Sequence, residues 1–433
     1  MVKISAASAE NLWHLQNQYE NNRLTLIKKL TYQYSINKWF GTCSNRKLIN
    51  PKRFDKLHSI SKLEIMVQTG CNLRCKYCYA DGGSYHYGIK HLTPDDAIKY
   101  IRCLIQNLAI QKVGSVFFFG GEPTAYPKTI RAVCDLFAEL VQSMQIKEMP
   151  MFTMVSNGTY YSPLLSSTLK KYNIELTISL DGPKLINDQL RVFRNGAGTF
   201  DKILGNIKKM QSDGISLNLI EATYTTLHKK LNDTPDAIRK YIHETIGEVK
   251  TIVVTCEGPS EYALSESITT EQTGFNNYPF QCEDCLFGNG LALIQTFLQS
   301  GNISSFLCAS GASAISLTCD GHLYPCHRFL PDSKYELGVF ENGSCNLNLY
   351  SSAFQKLIHL NKQGRQECKS CWARFFCVGC PAIEIENSLH EKICMTRKKY
   401  AEAFMLHWTA LQHDKERFTQ FSGRLKKLTS TNY

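Results

Sequence analysis

Short apolar stretches separated by longer amphipathic ones repeat along the middle of the chain. Leu63–Val67, Ser115–Phe119, Phe152–Val155, Glu175–Ser179, Ser216–Ala222 and Thr251–Thr255 are each four to seven residues long, the length of a strand. Helical patterns fill the intervals. Thr93 caps one of them, with Pro94 at its first position and Asp95 and Asp96 in its first turn. Ala97, Ile98, Ile101, Leu104, Ile105 and Leu108 then recur on one face. A second helix is expected from about Lys128 to Gln145. Six strand–helix units predict an α/β fold with a parallel sheet, a partial (β/α)6 barrel with one side left open.

Each of the first four strands ends in a polar or glycine-rich sequence. These are Thr69–Ala80, then Gly120-Gly121-Glu122-Pro123, then Ser156-Asn157-Gly158, then Ser179-Leu180-Asp181-Gly182-Pro183. The C-terminal ends of parallel strands are where such sheets assemble their sites. Around this core, residues 1–60 read as a small N-terminal module, with a helix-like start at Glu10–Tyr19 and an alternating stretch, Arg23–Phe40, suited to a strand pair. The barrel is expected over 61–300, a cysteine-rich module over 301–396, and a last segment over 397–433 made of a closing helix, read from Met395 to Gln412, and a basic tail to Tyr433.

Composition adds three constraints. With 433 residues, 43% hydrophobic and 20% charged, the chain has the make-up of a globular protein of more than one module. It contains no apolar run of transmembrane length, and its first residues lack the hydrophobic core of a signal peptide, so a cytoplasmic location and no membrane partner are expected. The net charge of +11 is uneven: residues 1–60 hold ten Lys/Arg against three Asp/Glu. No nucleic-acid motif accompanies it, so no nucleic-acid partner is expected. An acidic peptide suits the charge as well.

Eighteen cysteines without an export signal argue for ligation rather than disulfides. Three of them, Cys71, Cys75 and Cys78, crowd the loop T-G-C-N-L-R-C-K-Y-C-Y-A. An iron–sulfur cube has four iron corners, so three cysteines leave one corner without a protein ligand. A closed zinc site wants four ligands. No fourth cysteine is near, and the nearest histidines are His86 and His91.

The spacing C-x-x-x-C-x-x-C, with Tyr77 before the third cysteine, resembles the signature of radical S-adenosylmethionine (SAM) enzymes. In that family the open iron chelates SAM, and one electron cleaves its sulfonium to give a 5′-deoxyadenosyl radical that abstracts a substrate hydrogen. The resemblance implies that Gly120, Gly121 and Glu122 meet the SAM amino group. Two glycines would let the backbone approach the ligand. It places Ser156, Asn157, Ser179 and Asp181 near the ribose and carboxylate, Arg191 against the carboxylate, and the Tyr77 ring against the adenine. Taken one at a time, these are common turn or core residues.

A second constellation, Cys308, Gly321, Cys326, Cys368, Cys371, Cys377, Cys380 and Cys394, resembles the SPASM domain, which carries two auxiliary 4Fe-4S clusters in peptide-modifying relatives. The resemblance implies three 4Fe-4S clusters in all. Cys368, Cys371, Cys377 and Cys394 would hold one auxiliary cluster, and Cys308, Cys326 and Cys380 the other. The fourth site of the latter is open or filled by Cys282, Cys285 or Cys319. The chain departs from the pattern twice, with two residues rather than three between Cys377 and Cys380, and with Asn302 where an eighth cysteine is usual. A zinc ribbon on the two C-x-x-C pairs would leave three cysteines unused.

Where anaerobic sulfatase maturases carry an aspartate base beside the Cys326 equivalent, this chain has His327. Histidine can also act as a base. The strings Tyr324–Phe329 and Cys368–Arg374 are similar to maturases of ribosomally made peptides, darobactin-type and thioether-forming enzymes among them. The expectation is oxidative side-chain crosslinking of a precursor peptide, with oxidation of a single protein residue as the alternative. The N-terminal module would recognise a leader or cap the barrel, and a flavodoxin or ferredoxin would donate electrons.

Overall fold

A computed structural model describes residues 58–256, 260–264, 303–341 and 343–348, together with 48–49 and scattered positions between 351 and 419. The chain divides into two units. One comprises Met1–Pro51, Gly274–Cys308 and Lys356–Tyr433, the other Lys52–Thr273 and Ala309–Gln355. Both are discontinuous in sequence. The helix expected at Glu10–Tyr19, the strand pair at Arg23–Phe40, the Cys282/Cys285 pair and, Lys398 apart, the closing helix lie outside the described residues.

The second unit is built on one ten-stranded sheet. Six strands follow one another as parallel neighbours: β1 (Ser59–Gln68), β2 (Lys112–Gly120), β3 (Met151–Ser156), β4 (Glu175–Ser179), β5 (Leu219–Tyr224) and β6 (Thr251–Thr255). These are the six expected strands, lengthened where flanking polar residues also pair and shifted by two or three residues at β5. β7 (Ala314–Leu317) pairs in parallel with the other edge of β1, in the register Lys62↔Ala314 to Ile65↔Leu317. β8 (His322–Tyr324), β9 (Gly338–Glu341) and β10 (Ser344–Leu347) continue from it antiparallel. The order runs from β10 to β6 without closing. β7 satisfies backbone groups that the edge of β1 would otherwise leave unpaired.

Helices connect the parallel strands. In α1 (Pro94–Asn107) the Thr93 hydroxyl accepts from the Asp96 amide, as its sequence position predicts, and Ala97, Ile101, Leu104 and Ile105 are buried. α2 (Pro127–Gln142) stops a turn before its expected end, because Met144 turns into the left-handed region. Strand pleating sends alternate side chains to opposite faces. On the helix-covered face, Leu63, Ile65, Val116, Phe118, Met154, Ile178 and Ile220 are inaccessible to solvent, and Phe137 of α2 meets the Phe152 ring edge-on at 6.1 Å. The alternate residues Phe117, Phe119, Thr153, Val155, Ser179 and Glu221 stay half-exposed. The sheet therefore has one packed face and one open face. Among the described residues, no helix is long and apolar enough to cross a membrane.

Truncating adjacent aromatics on β2 should separate the two faces. Phe118→Ala should cost ~3–5 kcal/mol, as for a fully buried phenylalanine, and Phe117→Ala clearly less. Urea denaturation measures both, and equal losses would contradict the assignment.

Candidate active site

The cysteine loop leaves β1 at Gln68 and folds back onto the end of β2. Backbone lies directly on backbone there. The Gly121 amide donates to the Gln68 carbonyl at 2.9 Å, and a Cβ on Gly121 would stand 1.9 Å from the Gly70 oxygen. Gly120 has φ +130°, and a Cβ on it would stand 2.2 Å from the Gln68 oxygen. The space left by these two absent side chains is filled by the chain itself rather than held open for a ligand.

Glu122 ties the next strand in. It is buried, and its Oε1 accepts from the Thr124 amide (3.0 Å), the Thr124 hydroxyl (2.5 Å) and the Ser156 hydroxyl (2.8 Å), while Oε2 accepts from the Asn157 amide at 2.6 Å. Burial pushes its carboxyl pKa up against these bonds. Asn157 reaches on to the cysteine loop. Its Nδ2 donates to the Cys71 sulfur at 3.5 Å and to Asn72 Oδ1 at 2.9 Å, and the Leu73 amide also donates to that sulfur, at 3.4 Å. Donors onto a ligating sulfur are the means by which a protein tunes a cluster. Burial, and behind it the Glu122 carboxylate, push the Cys71 thiol up, and burial takes Cys75 up to about 12.

Beneath the loop, the Tyr77 hydroxyl donates to Asp181 Oδ2 at 2.5 Å and accepts from Arg191 Nη1 at 2.7 Å. Asp181 Oδ1 accepts from the Thr223 amide at 2.9 Å, and the Asp181 carbonyl is 2.8 Å from His228 Nε2. Asp181 therefore joins β4, β5 and the cysteine loop. Arg191 is buried, and its Nε has no hydrogen-bond partner. Ser179, the last residue of β4, pairs in register with Glu221 in the middle of β5. Burial pushes the Glu221 carboxyl up, with Arg191 opposing.

On the open face of β1, Glu64 is fully buried. Its Oε1 accepts from the His327 amide (3.0 Å) and Ser316 Oγ (3.0 Å) and lies 2.9 Å from His327 Nδ1, and its Oε2 accepts from Lys62 Nζ at 3.3 Å. Burial alone would push this carboxyl up. His327 and Lys62 outweigh it and hold the pKa at about 2. The His327 ring stands 4.5 Å from Phe119 and 6.2 Å from both Tyr79 and Tyr85. Cys319 is buried and donates to the Met66 carbonyl at 3.1 Å. Cys326 belongs to this unit, while Cys308, Cys368, Cys371, Cys377, Cys380 and Cys394 belong to the other. In that unit burial, followed by Cys377, Cys371 and Cys394, pushes the Cys368 thiol up to about 11, with Arg365 opposing.

These residues fit an iron–sulfur group with a chelated cofactor. Three thiols in one loop and a buried guanidinium nitrogen lacking a partner suit a cube with an open corner and an anionic ligand beside it. Sequence reasoning passed over Glu64, Gln68, Glu221 and His228. For Glu64 and Glu221 there was one signal, an acid at every-other-residue spacing inside an apolar strand.

Residues 65–246 match the model of the Radical SAM superfamily. The radical SAM cyclopropyl synthase TigE of Paramaledivibacter caminithermalis is 32% identical over 170 residues, 37% of this chain and about a third of that protein's length (34%). A cysteine-type anaerobic sulfatase-maturating enzyme of Clostridium perfringens is 23% identical over 72% of this chain and 86% of its own. Among solved structures, native anSMEcpe with bound AdoMet superposes with a TM-score of 0.60 at 22% identity, covering 82% of this chain and 99% of that one. The same enzyme with AdoMet and the Kp18Cys peptide gives 0.58. At this identity the likeness shows the fold.

Glu122→Gln replaces an acceptor with a donor among four converging donors and should cost about 2–4 kcal/mol, read by thermal unfolding. Gly121→Ala should cost ~1–3 kcal/mol or more through overpacking. Because Glu64 titrates at about 2 instead of the ordinary 4.5, its contribution is complete above pH 4.5 and lost as pH falls through about 2. Urea midpoints measured down that range should fall less steeply for Glu64→Gln than for the natural chain.

Proposed function

The chain carries a radical SAM domain, the domain of an enzyme superfamily, over residues 65–246, and from that premise we propose that it modifies a peptide or protein side chain after translation. The observation that carries this is the loop Cys71–Cys78 packed on the Glu122 knot, with Arg191 Nε unpartnered beneath it. Cys71, Cys75 and Cys78 hold the iron–sulfur group. When bound with S-adenosylmethionine, that group supplies a carbon radical strong enough to remove an unactivated hydrogen. Gly120, Gly121 and Glu122 shape the backbone edge that receives the cofactor's amino group. Ser156, Asn157, Ser179 and Asp181 set the polar rim, Tyr77 braces Asp181, and Arg191 offers its free N–H to a carboxylate.

The likeness to sulfatase-maturating enzymes over 72% of this chain supports a polypeptide substrate. We read the reaction as oxidative crosslinking of a precursor peptide, the bond being ether, carbon–carbon or thioether. Residues 1–60 would then meet the leader. The open sheet face gives such a peptide a half-exposed aromatic wall, Phe117 and Phe119, ending at His327. His327, anchored by Glu64, would take a substrate proton. The cysteines Cys308, Cys326, Cys368, Cys371, Cys377, Cys380 and Cys394 hold two auxiliary clusters, which give the second electron of an oxidation somewhere to go. Formation of a carbonyl on a single residue is the second reading, favoured by the sulfatase-maturating relatives.

Anaerobic reconstitution with S-adenosylmethionine and dithionite should yield 5′-deoxyadenosine, and Cys71→Ala, Cys75→Ala or Cys78→Ala should abolish it. Continued production in any of the three would refute the ligand assignment. Co-expression with a short peptide encoded beside the gene should remove two hydrogens per bond formed, seen by mass spectrometry. A carbonyl product instead would establish the second reading.

A further inference from the structure

Cys103 and Cys345 belong to neither of the cysteine groups assigned above, and both lie in the unit built on the ten-stranded sheet. In α1 the stripe of Ala97, Ile101, Leu104 and Ile105 is buried. Tyr100, Cys103 and Asn107 follow one another at three- and four-residue spacing and share the flank beside that stripe. The Tyr100 ring stacks on Phe340 of β9, with centroids 5.2 Å apart and planes 24° apart. Gly321 leaves room for it, since a Cβ there would stand 2.9 Å from the ring. This flank of α1 therefore rests on the antiparallel end of the sheet, against β10 as well.

In the β9–β10 hairpin Phe340 pairs directly with Cys345. Partners across an antiparallel pair point to the same face, with Cβ atoms about 4.5–5.5 Å apart. Phe340 points at α1, so Cys345 does too. Burial agrees, because Cys345 and Leu347 are half-buried while Ser344 and Asn346 are exposed. Residues three apart on a helix are separated by about 5–6 Å, nearly the cross-strand spacing, so the stack of Tyr100 on Phe340 brings Cys103 over Cys345. The Cys103 thiol donates to the Gly343 carbonyl at 3.4 Å, two residues from Cys345, and accepts from Asn107 Nδ2 at 3.3 Å. Burial and, after it, Cys103 push the Cys345 thiol up to about 12. Cys103 is buried and Cys345 half-buried, so a small reagent reaches the pair from the Cys345 side.

The geometry points to a redox modification site, in which a small disulfide such as oxidised glutathione joins Cys103 and Cys345 into one bridge between α1 and β10. One protein thiolate displaces a glutathione from the reagent to give a mixed disulfide, and the other then displaces the second glutathione. Two protein thiols are oxidised, the reagent's disulfide is reduced, and both protons leave on the released glutathione thiols. The attacking species is the thiolate, so the raised Cys345 thiol makes the exchange slow near neutrality. In a reducing compartment the pair stays open. Closed, it fastens the edge hairpin onto α1, and with it β8, whose Leu323 pairs with Gly338 of β9. Neither cysteine takes part in the proposed reaction, so the two readings are tested separately.

The full chain, with its iron–sulfur groups reconstituted, is incubated anaerobically with oxidised glutathione at mildly alkaline pH. Remaining thiols are alkylated, and a non-reducing digest is read by mass spectrometry. The peptides bearing Cys103 and Cys345 should be recovered mainly as one species, two hydrogens lighter than their sum, which a phosphine reductant separates. The oxidised chain should unfold at a higher urea concentration than the reduced one, and the rise should vanish in Cys103→Ser and in Cys345→Ser. Recovery of both peptides alkylated, of glutathione left standing on either cysteine, or of Cys103 bridged to a different cysteine would overturn the inference. So would a rise in the urea midpoint that persists undiminished in both variants.

Discussion

The contact of the cysteine loop with the end of β2, backbone against backbone through Gly70, Gly83 and Gly121, is the constraint on which the site depends. A side chain at Gly121 would push the loop away, since its Cβ would stand 1.9 Å from the Gly70 oxygen. With the glycines in place, Gln68, Gly121 and Glu122 form one continuous hydrogen-bonded edge. Asn157 then reaches the Cys71 sulfur only because its own amide is fixed on Glu122.

The acids of the site divide into two kinds. Glu122 and Asp181 face the ends of β3 and β5, and their oxygens bond to amides and hydroxyls of the chain, so they act as struts. Glu221 stays half-exposed on the open face. Arg191 combines both roles, bracing Tyr77 through one nitrogen and leaving another buried without a partner. A ligand bound here meets a surface whose shape is already set, which lowers the ordering cost of binding.

Glu64 does for the β7–β8 side what Glu122 does for β2 and β3. Its carboxylate holds the His327 amide and ring against β1, across more than 250 residues of sequence. This places an imidazole among Phe119, Tyr79 and Tyr85 on the open face. The fold therefore brings a residue next to the expected auxiliary ligand Cys326 onto the wall of the parallel sheet.

By itself the sequence determined the six parallel strands, the Thr93-capped helix and the cysteine loop, because periodicity, caps and short motifs are local signals. β4 and β6 keep the bounds read from their apolar runs. Only the tertiary structure decided that Ala314–Leu317 joins the parallel sheet, since pairing with a distant edge leaves no trace in a four-residue apolar stretch. It also decided what the glycines are for. A Gly-Gly pair reads the same whether a ligand or another stretch of backbone fills the space, and here Gln68 and Gly70 fill it. The partners of Glu64, Asp181 and Arg191 were equally hidden, because a buried charge is settled by whatever the fold places within about 3 Å of it, and that distance has no counterpart along the chain.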